Sequence, residues 1–297
     1  MNKAIDDYLV KLKTALAGAD RATIQDALSD AEEHLATALE QALDTEPGLD
    51  AETALGRIIE TYGAPAEVAA AYKEMENMTP NALAIPGPGI VKPRGNGFFG
   101  VLGDIRTYGA LLYMLLSLAT GIFYFTWATT ALSLSAGFIV LIIGLPFVAA
   151  FLLSVRGIAL IEGRIIEGVL GERMPRHVAF FRKDLGWWGG FKALIGDRTI
   201  WSAILYMILQ LPLGILYFTI TITLIALSLG LIVMPILHYI FNFPFVQTDH
   251  HAYYLPGWSM PLVVMGGFFL MIVTLHVARG LGHLHARYAK KLLVKGD

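Results

Sequence analysis

The chain of 297 residues contains no cysteine, which excludes disulfide frameworks, thiolate nucleophiles and Cys-based zinc or iron–sulfur sites. Charge is scarce as well. Only 15% of residues are charged against 56% hydrophobic, where soluble globular domains carry about 25% charged residues. That deficit points to lipid. No apolar run follows basic residues at the start, because the first 80 residues are polar and acidic; no cleavable signal peptide is expected, and the N-terminal part is expected to stay in the cytoplasm. Nor does the sequence hold a Walker loop, a G-x-S-x-G elbow, an H-E-x-x-H pair or a kinase signature. No catalytic residue, enzyme activity or cofactor is therefore expected.

What charge there is lies unevenly. Residues 1–79 hold 16 Asp and Glu against 6 Lys and Arg, a net of −10, whereas the rest holds 8 against 16, a net of +8. A −10 domain has too little Lys and Arg to hold phosphates, so direct nucleic-acid binding is not expected. It is suited to a basic protein partner, or to the basic loops of its own membrane part.

The acidic part has helical periodicity. Ile5, Leu9, Leu12 and Leu16 form one stripe, and Ile24, Leu28, Ala31, Leu35 and Leu39 another, predicting two amphipathic helices. A third begins at Asp50, a good N-cap, and stops at Gly63; Pro65 fits the first turn of a fourth. From Thr79 to Gly97 the sequence TPNALAIPGPGIVKPRGNG alternates Pro with Gly and reads as a linker.

Long uncharged runs follow. Tyr108 to Leu132 is charge-free and long enough to cross roughly 30 Å of hydrocarbon. Gly137 to Val155 is a second span, joined to the first by a tight turn at Ser133 to Ala136. Ile200 to Leu224 and Pro261 to Val277 are the third and fourth. Leu227 to Phe245 is read as a continuation, a re-entrant piece or an interfacial piece, broken near Pro235 and Pro244. Basic clusters around Arg173 to Lys192 and Arg279 to Lys295, against a Gln247 to Ser259 loop with Asp249 and no Lys or Arg, place both termini in the cytoplasm.

The spans repeat. GDIRTYGALLYMLLSLATGIFYFT from Gly103 aligns with GDRTIWSAILYMILQLPLGILYFT from Gly196 at an offset of 93 residues, and Arg156-Gly157-Ile158 aligns with Arg279-Gly280-Leu281 at an offset of 123. The expected architecture is all-α: a small cytoplasmic helical domain (residues 1–78), a Pro/Gly linker (79–98), and a polytopic α-helical membrane domain of two repeated hairpins (99–195 and 196–297). The second hairpin carries an outside insertion and a basic amphipathic tail. Such a parallel duplication is compatible with a monomer or a dimer.

Few residues offer chemistry. In the outside insertion, His250, His251, Tyr253, Tyr254 and Trp258 are candidates for recognising a ligand, although an interfacial aromatic belt explains the rings equally. Adjacent histidines chelate one ion poorly and no third ligand is defined, so no metal site is expected. His238, His276, Tyr124 and Tyr217 are polar groups within or near the spans, where ionisable side chains are functional candidates. His34, in AEEHL, reads as a helix-face residue. Membrane lipids are the expected environment and partners of the basic tail, GLGHLHARYAKKLL.

DYLVKLKTAL, DALSDAEEHL and AETALGRIIETYGAPAEVAAAY, with Gly63 and Pro65 after Tyr62, resemble the HAAS domain, a small helical module often fused to membrane segments. LLYMLLSLATGIFYF, LPLGILYF and HVARGLGHLHARYAKKLL are similar to the sensor domain of bacterial sensor histidine kinases and of stand-alone membrane proteins. The resemblance implies a regulatory protein of the bacterial cytoplasmic membrane, and HAAS-type proteins are often associated with PadR-like transcription regulators. Here no kinase transmitter follows, so the output would pass through contact of the acidic domain with a cytoplasmic regulatory protein. The alternative is a lipid- or small-molecule-handling accessory subunit or transporter component.

Overall fold

A computed structural model describes residues 3–46, 50–78, 98–138, 144–175, 186–247, 251–254 and 256–294. Among the described residues the protein is all-α apart from one two-stranded hairpin of two residues per strand. It divides into two compact units. The first comprises Met1–Ile85, Ala128–Tyr206 and Arg287–Asp297; the second comprises Pro86–Trp127 and Met207–Ala286.

In the first unit, four helices form a small core: α1 (Lys3–Ala15), α2 (Arg21–Thr45), α3 (Ala51–Tyr62) and α4 (Pro65–Met78). Ile5, Tyr8, Leu12 and Leu16 line one face of α1 and the turn after it, at the three- and four-residue spacing that buries a helix stripe. They meet Ala27, Ala31 and Leu35 of α2, Leu55 of α3 and Ala69 of α4. The expected boundaries hold. The Asp50 carboxylate accepts from the Glu52 and Thr53 amides at 3.2 and 3.3 Å, and α3 ends at Gly63, whose φ of 111° favours glycine. Polar side chains join the helices beneath that core: the Tyr8 hydroxyl donates to the Gly63 carbonyl (2.9 Å), Tyr72 donates to Asp30 Oδ2 (2.6 Å), and His34 stacks on Tyr62 with ring centres 4.7 Å apart.

The remaining helices are α5 (Ile105–Phe138), α6 (Gly144–Leu170), α7 (Gly186–Gly196), α8 (Arg198–Phe241) and α9 (Met260–Leu293). Among the described residues, α5, α6, α8 and α9 are 4 helices long and apolar enough to cross a membrane, and the protein is a membrane protein. Strands β1 (Val246–Gln247) and β2 (Ala252–Tyr253) pair antiparallel between α8 and α9.

Two expectations are corrected. The turn placed at Ser133 to Ala136 is helical, because α5 runs on to Phe138. Of the three readings of Leu227 to Phe245, the continuation holds as far as Phe241, but without a break at Pro235, which lies inside a 44-residue helix together with Pro212. A membrane tolerates such prolines when neighbouring groups absorb the freed carbonyl. α8 stops instead at Asn242, whose φ of 53° is the left-handed cap that Asn accepts, two residues before Pro244. The basic tail is helical as expected, carried by α9 in one helix from Met260 to Leu293.

Glycines set how closely two helices of the second unit approach. A Cβ on Gly121 of α5 would lie 2.7 Å from the Gln210 carbonyl oxygen of α8, and one on Gly214 of α8 would collide with the Ser117 carbonyl of α5. Gly121 and Gly214 are matched positions in the repeat, as are Ser117 and Gln210, so the crossing is reciprocal. Small residues at such crossings are how membrane helices gain backbone proximity.

Candidate functional site

The polar groups gather in three places. The first joins the four-helix domain to the membrane helices within the first unit. Lys290, near the end of α9, places its ammonium 2.7 Å from Asp20 Oδ2 and 2.9 Å from Glu172 Oε1, the residue two past α6. Asp20 is held from several sides. Its other carboxylate oxygen caps α2 by accepting from the Ala22 amide at 2.8 Å, and its own amide donates to both Glu76 oxygens at 3.2 Å. Beside it, Lys73 donates to the Ala15 and Ala17 carbonyls at the end of α1, where cations offset the helix dipole. One ammonium thus serves two carboxylates from different parts of the chain, and its side chain is 16% exposed.

The second lies along the membrane helices of the same unit. Arg156 of α6 pairs with Asp197 at 2.6 Å. Burial alone pushes the Asp197 carboxyl up, but the Thr199 amide and the Arg156 guanidinium outweigh it and hold the group below the usual carboxylate range. Nine residues on, the Tyr206 hydroxyl donates to Glu162 at 2.8 Å, and its ring stacks on Tyr288. Ser202 donates to the Leu292 carbonyl at 2.6 Å.

The third, in the second unit, repeats that arrangement. Arg279 of α9 pairs with Asp104 at 3.5 Å. Tyr113 shares a 2.7 Å hydrogen bond with Nε2 of the fully buried His285, and Tyr217 meets the same imidazole edge to face. Asp104 and Asp197 are matched in the repeat, as are Arg156 and Arg279, and each aspartate pairs with the arginine of the other copy. Tyr113 and Tyr206 are matched too, and Glu162 and His285 fall at the same offset of 123 residues as the arginines. The uncharged runs do not point to these pairs, because their carboxylates lie beyond the bounds of those runs. α6 continues past Arg156 to Leu170, which carries the buried Glu162 and Glu167 in the same helix.

The sequence-derived candidates scatter. His251, Tyr253, Tyr254 and Trp258 are exposed, with His251 stacked on Tyr253; His250 and Asp249 lie outside the described residues. His238 Nδ1 is 2.9 Å from the Phe243 carbonyl, and its ring faces Tyr254. His276 Nδ1 is 3.0 Å from the Ile272 carbonyl, one turn back in its own helix, and its ring stacks on Phe98. Tyr124 is buried and meets Phe123 edge to face. Of the four intramembrane candidates, Tyr217 joins the third cluster, through the His285 ring. Among the described residues no three His, Asp or Glu side chains are grouped to hold a metal. An open groove of about 440 Å³ in the first unit is lined by Thr129, Thr130, Ser133 and Leu134.

Taken together, the fold and these polar joints define a polytopic α-helical membrane protein with a small four-helix domain tied to it by charge. Residues 113–293 match the family described as "Putative sensor", and residues 7–71 match the HAAS domain. The first match spans more than half of the chain, and the protein belongs to that sensor family. No curated protein and no solved structure matches the chain.

Proposed function

We propose that this is a signal-relay protein of the bacterial cytoplasmic membrane, with both termini in the cytoplasm, in which the membrane hairpins respond to a membrane or envelope condition and change how the acidic helical domain is presented. The output is contact with a cytoplasmic regulatory protein bearing a basic surface. It acts by binding rather than by catalysis.

The observation that carries this reading is the Lys290 joint. A single cation on the last membrane helix is shared between Asp20 of the helical domain and Glu172 after α6. Movement of α9 against α6 changes the Lys290–Glu172 bond, and movement of α9 against the helical domain changes the Lys290–Asp20 bond. The scale is suitable for a switch. A partly buried, charge-assisted pair contributes about 1–3 kcal/mol, and each 1.4 kcal/mol is about tenfold in population, so a modest stimulus is enough to move the equilibrium. The remaining acidic surface of the domain supplies the complementary charge for a basic partner.

The second reading, handling of a lipid or small molecule, draws on the hydroxyl-lined groove at Thr129, Thr130 and Ser133. It has weaker support, because neither Tyr124 nor Tyr217 lines that groove.

The test is mass spectrometry of what co-purifies with the full-length protein in native-like membranes, compared with protein lacking residues 1–78. A protein partner lost on truncation supports the relay. Unchanged partners, with a lipid or small molecule retained by both forms, would move the ligand-handling reading to first place.

A further inference from the structure

The duplicated membrane part has kept one polar joint and changed its chemistry. In the first unit the Tyr206 hydroxyl donates to Glu162 at 2.8 Å. In the second, the matched Tyr113 shares a 2.7 Å hydrogen bond with Nε2 of His285. His285 stands at the position of Glu162 in the offset of 123 residues that also matches Arg156 with Arg279. The tyrosine is retained while its partner turns from an acid into a base. An acid loses its charge when it takes a proton and a base gains one, so the two joints answer protons with opposite sign.

The surroundings of His285 make that charge matter. It is the only fully buried histidine among the described residues, where His34, His251, His276 and His283 are exposed. The titratable groups that face it are phenols: Tyr113 from α5, and Tyr217 from α8, whose ring meets the imidazole edge to face with centres 5.6 Å apart. A neutral imidazole shares the Tyr113 bond as acceptor or donor, according to its tautomer. A protonated one carries hydrogen on both nitrogens, can only donate, and brings into the interior a positive charge that neutral phenols do not offset. Relief comes from opening the joint to water. Where only the opened form takes the proton, with imidazole's ordinary value of about 6.5, a fall from pH 7.5 to 5.5 multiplies opening about tenfold.

We propose that His285 is a proton-binding site through which acid loosens the hold of α5 on α9. α9 runs unbroken from His285 to Lys290, which gives the proton a covalent route to the joint with the helical domain. The inference rests on the relay reading and on the orientation proposed above, in which the basic end of α9 is cytoplasmic. It names the membrane condition sensed as a failing proton barrier, felt as acidification of the cytoplasm.

The test is amide exchange of the full-length protein in nanodiscs at pH 7.5 and 5.5, corrected for the intrinsic pH dependence of exchange, in the wild type, His285→Gln and His283→Gln. Glutamine keeps a hydrogen-bonding side chain and takes no proton in this range, while the exposed His283 controls for titration elsewhere. The expected result at the lower pH is an about tenfold rise in opening around Tyr113 and His285 in the wild type and in His283→Gln, and a change below about twofold in His285→Gln. A wild-type rise below about twofold would overturn the proposal, as would the full rise persisting in His285→Gln. Should that variant not fold, His285→Asn supplies the neutral side chain and the wild-type arm stands by itself. Exchange of the helical-domain amides in Lys290→Met, followed alongside, separates the two claims. Release of the domain with no acid opening at His285 refutes the proton site and leaves the relay standing, whereas acid opening through His285 with no release in Lys290→Met refutes the relay and leaves the proton site standing.

Discussion

A methyl group added where α5 crosses α8 should separate the two helices. In Gly121→Ala the new Cβ would sit 2.7 Å from the Gln210 oxygen, 3.0 Å from the Leu211 Cα and 3.1 Å from the Gln210 carbonyl carbon. Carbon atoms pack comfortably at about 3.5–4.0 Å, so the backbones must part by about 0.5–1 Å. The obstacle is main chain and no rotamer change relieves it. Overpacking of this kind costs about 1–3 kcal/mol. Gly230→Ala is the matched control in α8, since a Cβ there meets nothing within 4 Å and alanine gains up to about 1 kcal/mol of helix propensity. Unfolding in mixed micelles should therefore show Gly121→Ala and Gly214→Ala each destabilised by about 1–3 kcal/mol relative to Gly230→Ala. The double variant should lose less than the sum, because the first methyl already opens the shared crossing. Equal stability of all three single variants, or strict additivity at the crossing, would refute the reciprocal contact.

Other predictions concern charge and protons. Asp197 has its folded-state affinity for protons lowered, so the stability it contributes is present above the ordinary carboxyl value of 3.8 and lost as pH falls through the folded value. Unfolding scans at pH 6 and pH 3 should show this loss, and Arg156→Gln should diminish it. The four-helix domain should weaken at the alkaline end. Burial, then the nearby Tyr62 and Glu67, push Tyr8 up to about 12 from its ordinary 10.0; its contribution is complete below pH 10 and lost as pH rises through about 12. Tyr8→Phe should remove that alkaline loss in amide exchange of α1, while costing about 1 kcal/mol at neutral pH through the missing bond to Gly63. Tyr206→Phe should be more costly than Tyr239→Phe in thermal unfolding, because the first deprives the buried Glu162 of a donor and the second touches an exposed ring.

Local signals in the sequence suffice where the physics is local. Asp50, Gly63 and Pro65 announce the ends of α3 and α4 through backbone chemistry that needs no tertiary context, and uncharged runs announce the four long helices through transfer energetics alone. Where the membrane changes the rules, those signals mislead. Pro235 and Ser133 to Ala136 look like breaks by soluble-protein standards, yet both are helical, since a lipid-bound backbone has no water to bond with instead. The polar joints were hidden for another reason. Tyr113 meets His285 across 172 residues and Lys290 meets Asp20 across 270, separations that periodicity does not address. The repeat held a usable clue: the offset of 123 residues that matches Arg156 with Arg279 also matches Glu162 with His285. The insertion around His250 and His251 stands out by composition; among its described side chains, His251 stacks on Tyr253 and Tyr254 meets His238.

The central claim is that charge at Lys290 holds the helical domain to the membrane helices. Hydrogen exchange of the full-length protein in nanodiscs tests it, comparing Lys290→Met, Lys290→Arg and Asp20→Asn, which keeps a capping side chain while removing the charge. The account predicts that the first turn of α2 and the end of α4 exchange about 5- to 150-fold faster in Lys290→Met, as expected for losing about 1–3 kcal/mol. Asp20→Asn should exchange at an intermediate rate, and Lys290→Arg close to the wild type. Exchange in Lys290→Met indistinguishable from the wild type would contradict it, because the domain would then be held, or free, without regard to that cation.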